Sequence, residues 1–150
     1  MKETRIGIIG LGYVGLPLAV ACSEFYETVG FDINSARIKE LNSGLDHTQE
    51  IEEKDLNKAL DSKLALSSSI EDLKKVNFFI ITVPTPVDKN NNPDFRPLLS
   101  ASETVGKVLK PGDVVVYEST VYPGATEEIC IPVLERVSGV AAKKCIQSCC

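Results

Sequence analysis

Short apolar runs alternate with longer amphipathic stretches along almost the whole chain. Residues 5–9 read as a first strand, and 14–25 as a helix with Leu16, Ala19 and Val20 on one face. Pro17 falls in that helix's first turn, where no intrahelical N–H bond is lost. A second strand follows at 28–32, and Asn34 is placed to cap a helix that runs to Asn42 and ends at Gly44. The polar loop 45–50 precedes a helix near 52–60, a short third strand at 64–66, and a one- or two-turn helix capped by Ser69. The fourth strand, 76–83, contains Phe78-Phe79-Ile80-Ile81, apolar on both faces as in a sheet covered twice. Pro84-Thr85-Pro86 ends it, and 88–93 is rich in turn residues. A helix over 95–109 stops at Lys110-Pro111-Gly112; the fifth strand is 114–116, and a loop over 119–124 leads to a last helix ending near 137. This alternation predicts an α/β fold, a doubly wound parallel sheet of the Rossmann-like kind. There are no internal repeats and no low-complexity linker.

The pattern fails only at the end. After Ser138-Gly139-Val140 another strand is due, yet 141–150 has neither strand nor capping signals. The chain therefore reads as one domain over 1–140 and an atypical tail over 141–150, either a truncation or a non-native end, with an unusual last strand as the alternative. A hydrophobic content of 43% in 150 residues suffices for a core. Net charge is −5 with Lys and Arg scattered, which argues against a nucleic-acid surface. The apolar start is a few residues long and interrupted by Gly7, unlike a signal peptide, and no run approaches the ~18 to 20 apolar residues of a membrane span. The expected compartment is the cytoplasm. Of the five cysteines, Cys22 and Cys130 fall in predicted helices as small hydrophobes, while Cys145, Cys149 and Cys150 match no zinc spacing. No metal site is expected.

Gly10-Leu11-Gly12-Tyr13-Val14-Gly15, between the first strand and its helix, carries the chemistry. Gly10 permits a tight turn, Gly12 lets backbone approach a pyrophosphate, and Gly15 lets helix and strand pack closely. The helix N-terminus adds free N–H groups and partial positive charge. Asp32, about 20 residues on, ends the second strand where a carboxylate accepts from both hydroxyls of an adenine ribose. A 2′-phosphate there would oppose the carboxylate by several kcal/mol, so NAD is favoured over NADP. Arg37 is read as packing beside that ribose, the alternative being a solvated helix charge.

Three segments extend this: the full stretch Gly10 to Ala19 with Asp32-Ile33-Asn34 and Arg37-Ile38, then Thr82-Val83-Pro84-Thr85-Pro86, then Glu118-Ser119-Thr120-Val121-Tyr122-Pro123-Gly124. In this order, over about residues 5–140, the chain resembles the nucleotide-sugar 6-dehydrogenases, the UDP-glucose/GDP-mannose dehydrogenase family. Gly44-Leu45-Asp46-His47-Thr48-Gln49-Glu50 resembles the G-x-D-x-T-x-E loop of the bacterial branch acting on UDP-N-acetylhexosamines. The resemblance implies cofactor contacts from Gly10, Gly12, Tyr13, Val14 and Gly15, from Asp32 and Arg37, from Val83 and Thr85, and from Ser119 and Thr120 near the nicotinamide. It also implies that Thr120 helps to position a water near the reacting carbon. The family's reaction takes a UDP-sugar C6 alcohol to the carboxylate with two NAD, for surface polysaccharide such as capsule, through a cysteine thioester. That cysteine and its Lys, Asn and Asp partners belong to a second domain beyond a central helix, and this sequence stops before them, so the chain alone is expected to bind NAD without turnover. The complete enzyme is expected to be a homo-oligomer.

Plainer roles remain open. Thr85 and Thr120 also suit simple loop capping. His47, the only histidine, sits among polar neighbours expected to be solvated, and reads as a surface residue rather than a general base. Glu127 and Glu128 suit the first turn of a helix. A 6-phosphogluconate or hydroxyacyl dehydrogenase shares the first glycine motif alone, and a nucleotide-sensing Rossmann module would share the fold.

Overall fold

The structure, a computed structural model, describes residues 3–118, 124 and 126–141. Five strands form one sheet: β1 (Arg5–Ile9), β2 (Glu27–Phe31), β3 (Leu64–Ser67), β4 (Phe78–Ile81) and β5 (Val114–Tyr117). All pairs are parallel, in the order β3-β2-β1-β4-β5. The helices are α1 (Gly15–Ser23), α2 (Ser35–Asn42), α3 (Glu53–Leu60), α4 (Arg96–Gly106) and α5 (Ile131–Ser138). The doubly wound expectation holds, and every predicted strand is present.

Alternation along the strands divides the core between two faces. Ile6 and Ile8 of β1 join Leu16, Ile38, Leu41 and Leu56 on one side, under α1, α2 and α3. Ile9, with Phe79 and Ile81 of β4, packs on the other side with Leu98 and Val105 of α4 and Leu134 of α5. The apolar Phe78–Ile81 run thus serves both layers, as its sequence predicts. Tyr117 is fully buried there, its hydroxyl 2.7 Å from Ser102 Oγ, and burial pushes the phenol well above its ordinary range.

The helix ends differ from expectation by a residue or more. α1 stops at Ser23, whose hydroxyl turns back to the Val20 carbonyl. α4 stops at Gly106, and residues 107–109 continue only as a turn closed on Val105. Asn34 caps α2 as predicted, its side-chain oxygen accepting from the Ala36 and Arg37 amides at 3.1 and 3.3 Å. Ser69 does not cap the short helix that follows it (Ile70–Leu73); its amide instead donates to Ser67 Oγ, which bonds Asp72. The last helical segment begins as a wide turn, Thr126–Cys130, before α5, with Glu127 and Glu128 exposed in its first turn. The predicted residues Ser119, Thr120 and the tail cysteines lie outside the described residues. No described helix is long and apolar enough to cross a membrane.

Candidate functional site

The strand register sets the site. Ser67, Phe31, Ile9, Ile81 and Tyr117 lie abreast across the sheet. The residues leaving the strands continue the ladder: Gly10 N donates to the Phe31 carbonyl, Thr82 N to Ile9 and Glu118 N to Ile81, at 2.8, 2.9 and 2.9 Å. Asp32 N donates to the Ser67 carbonyl at 3.2 Å. Four loops therefore start at one level on the carboxyl edge. The order of strands reverses between β1 and β4, where open α/β sheets leave a crevice. A cleft of about 390 Å³ lies there, lined by Gly10, Gly12, Asp32, Asn34, Arg37, Val83 and Pro84 among others.

The glycine turn is built by close approach. Gly10 has φ +101°, a conformation glycine adopts without strain. A side chain at Gly15 would collide with the Gly10 carbonyl and come within 2.5 Å of Thr82 Oγ1. Thr82, buried at the end of β4, donates its hydroxyl to this turn, 2.7 Å from the Gly10 carbonyl and 3.1 Å from that of Ile9. The sequence marks Thr82 only as part of a motif; its role in locking β1 to β4 needs the register.

The opposite wall is polar. Asp32 accepts from the Leu11 amide at 3.0 Å and the Asn34 amide at 2.9 Å. Arg37 is 7% exposed, so it is not the solvated charge considered above. Its Nε donates to the Leu11 carbonyl at 3.1 Å, and Nη1 meets Asp46 at 2.9 Å and Glu40 at 3.1 Å. The expectation of solvated neighbours around His47 fails at Asp46, whose side chain is 1% exposed. Burial raises its carboxyl, but hydrogen bonds from the Thr48 hydroxyl, Arg37 and the Ile51 and Thr48 amides outweigh that and bring it to about 2. His47 itself is exposed, with Nδ1 2.6 Å from Glu40 Oε1.

Other predicted residues stand apart from the cavity wall. Tyr13 and Val14 follow Gly12 with exposed side chains, outside the residues that line the cleft. Thr85 lies in the loop after β4, directly after Val83 and Pro84, which line the cleft. Cys22 is half-buried and Cys130 buried, and burial raises both thiols, which suits inert packing.

Three features fit a dinucleotide. The amides of Gly12, Tyr13 and Val14, ahead of α1, make no backbone bond among the described residues. A Cβ at Gly12 would meet nothing within 4 Å, leaving room for a ligand against the backbone. Thr85 Oγ1 is buried without a hydrogen-bond partner among the described residues, an open polar atom that a bound group would satisfy.

Residues 4–148 match the UDP-glucose/GDP-mannose dehydrogenase family, NAD binding domain. The chain is 55% identical over 140 residues to the UDP-N-acetyl-D-glucosamine 6-dehydrogenase of Pseudomonas aeruginosa, covering 93% of this chain and 33% of that protein. It is 57% identical over 140 residues to Protein CapL of Staphylococcus aureus, covering 93% and 32%. A UDP-D-ManNAc dehydrogenase structure from Pyrococcus horikoshii superposes with a TM-score of 0.87 at 39% identity, over 95% of this chain and 34% of that one. A ternary complex of GDP-mannose dehydrogenase from Pseudomonas aeruginosa gives 0.84 at 27%, over 97% and 35%. The chain spans about a third of the length of the curated relatives it matches. Crevice, glycine turn and relatives agree: the chain belongs to the UDP-glucose/GDP-mannose dehydrogenase family and corresponds to its NAD-binding domain.

Proposed function

We propose that NAD lies across the switch-point cleft, with its pyrophosphate against the amides of Gly12, Tyr13 and Val14 and its adenine ribose on Asp32. Gly10 and Gly15 shape the turn, Arg37 closes the ribose end, and Val83 and Thr85 border the path toward the nicotinamide. Ser119 and Thr120 follow Glu118, which leaves β5 at the same edge, and they complete the nicotinamide end in this reading. Bound NAD supplies a hydride acceptor; the residues named here bind and orient it. Residues 1–140 form this cofactor-binding unit. The observation that carries the reading is the Asp32 carboxylate, held by two amides beside a glycine turn with open N–H groups.

For the whole enzyme we propose oxidation of the C6 alcohol of a UDP-N-acetylhexosamine to the uronic acid. The name of the Pseudomonas aeruginosa relative, a UDP-N-acetyl-D-glucosamine 6-dehydrogenase, and the Gly44 to Glu50 loop support that branch. Calorimetric titration of the chain with NAD, NADH, ATP and AMP tests the cofactor site. The expected result is saturable binding of the dinucleotides in preference to ATP and AMP. Preference for ATP or AMP would replace this reading with a different nucleotide site, and no binding at all would overturn it.

A further inference from the structure

The loop over 44–51 forms the outer wall of the cleft beside β2, and its anchor is Asp46. That carboxylate gathers the loop around itself, accepting from Thr48 N at 3.0 Å, Thr48 Oγ1 at 2.6 Å, Glu50 N at 2.9 Å and Ile51 N at 3.2 Å. It also takes Arg37 Nη1 at 2.9 Å. From there the bonds run inward without a break. Arg37 Nε holds the Leu11 carbonyl, and the Leu11 amide holds Asp32 Oδ2. One residue of the glycine turn, through the two peptide groups that flank its Cα, thus joins the ribose carboxylate to the guanidinium behind it.

Charge gives this chain of contacts a consequence. Among the described residues lining the cleft, Arg37 is the only Lys or Arg. It faces Asp46 and Glu40 on one nitrogen, so its charge is already balanced inside the protein. A dinucleotide bearing a 2′-phosphate would need a free cation at this end to offset Asp32. Among the described residues no lysine or arginine is on offer while Asp46 is ionised and bonded, and the His47 ring on the same wall sits against Glu40.

We infer that Asp46 is a positioning residue that sets the choice between NAD and NADP: it pins and neutralises Arg37, which both steadies the Leu11–Asp32 contact and denies a 2′-phosphate its cation. The inference rests on Asp32 being the ribose acceptor, as proposed above.

The test compares dissociation constants of the chain for NADH and NADPH at one ionic strength, because screening changes charged contacts. Variants are Asp46→Asn, Arg37→Gln and the pair together, each checked for folding by circular dichroism. The unmodified chain is expected to prefer NADH. Asp46→Asn frees the guanidinium, so the NADH preference should fall by about tenfold or more, the scale of one charge-assisted contact. In the Arg37→Gln background the same change should leave the preference unaltered, since Asp46 acts through Arg37. A purely structural role would weaken both ligands in proportion, and that result overturns the inference, as does an equal shift with and without Arg37. Should Asp46→Asn unfold, Asp46→Ser removes the charge beside Arg37 while keeping a hydroxyl acceptor for the loop amides. A lowered NADH preference supports the inference, and an unchanged one overturns it. If the unmodified chain binds neither dinucleotide, the cofactor reading falls and takes this inference with it. NADH binding with an unmoved preference sinks the inference alone.

Discussion

At the scale of single residues, backbone hydrogen bonds hold the Asp32 carboxylate in one orientation. Its two oxygens each take one backbone amide, from Leu11 and Asn34, which fixes the carboxylate's direction and leaves further lone pairs, which in the proposed NAD site accept from ribose hydroxyls. Replacing it with Ala removes a charged acceptor and also frees the Leu11 amide in the glycine turn. We expect Asp32→Ala to weaken NAD binding by about 1 to 3 kcal/mol, measured by calorimetry. An unchanged dissociation constant would remove Asp32 from the site. Gly15 shows why such a residue is readable from sequence: its glycine is forced by the Gly10 carbonyl and Thr82 Oγ1 beside it, a steric need written directly as a residue type. Asp46 shows the opposite. An Asp in a polar loop looks solvated, and only the fold reveals four loop contacts and an arginine closing over it. The one hint in the sequence was the Gly44 to Glu50 motif, which carried family likeness and no physical role.

At the scale of elements, strands and caps were legible because each has a local cause. The β1 run predicts 5–9 and is observed as Arg5–Ile9; Asn34 predicts and makes a cap. Helix ends were less legible, since α4 gives way to a turn at 107–109 through bonds to Val105 that composition does not announce. Ser69 misleads for a similar reason. A Ser two residues earlier captures its amide and pairs with Asp72, a contact that depends on how the turn after β3 folds back. The Asn34 cap provides a test confined to one element. Asn34→Ala keeps the backbone amide that Asp32 uses and loses only the side-chain acceptor for Ala36 and Arg37. It should cost about 1 kcal/mol of stability, a fall of about 3 °C in melting temperature for a domain of this size. NADH affinity should change little. A large loss of affinity with an unmoved melting point would mean that the Asn34 side chain serves the ligand and not α2.

At the scale of the whole molecule, the sheet and the 44–51 loop are joined through Asp46, so acid should reach the fold through that carboxylate. Its ordinary value is 3.8, and in the folded chain it lies at about 2, because hydrogen bonds from Thr48, Arg37 and Ile51 outweigh the desolvation that raises it. The folded value is depressed, so the folded state favours the ionised form. Its contribution is therefore complete above about pH 4 and is lost as the pH falls through about 2, on the order of 2 kcal/mol in all. Asp94 is also brought to about 2 by Arg96, but that arginine is 89% exposed and water and salt screen the pair. The two are separable by experiment. Denaturant unfolding followed between about pH 5 and pH 2 should show stability falling most steeply in the lower half of that window, and added salt should leave most of the slope in place because the Asp46 side chain is shielded from solvent. Asp46→Asn should be less stable near neutral pH and markedly flatter below about pH 4, while Asp94→Asn should keep the slope nearly unaltered. If Asp46→Asn retains the full acid-dependent loss, the carboxylate is not what ties the loop to the sheet, and the acid sensitivity belongs to the screened surface pairs instead.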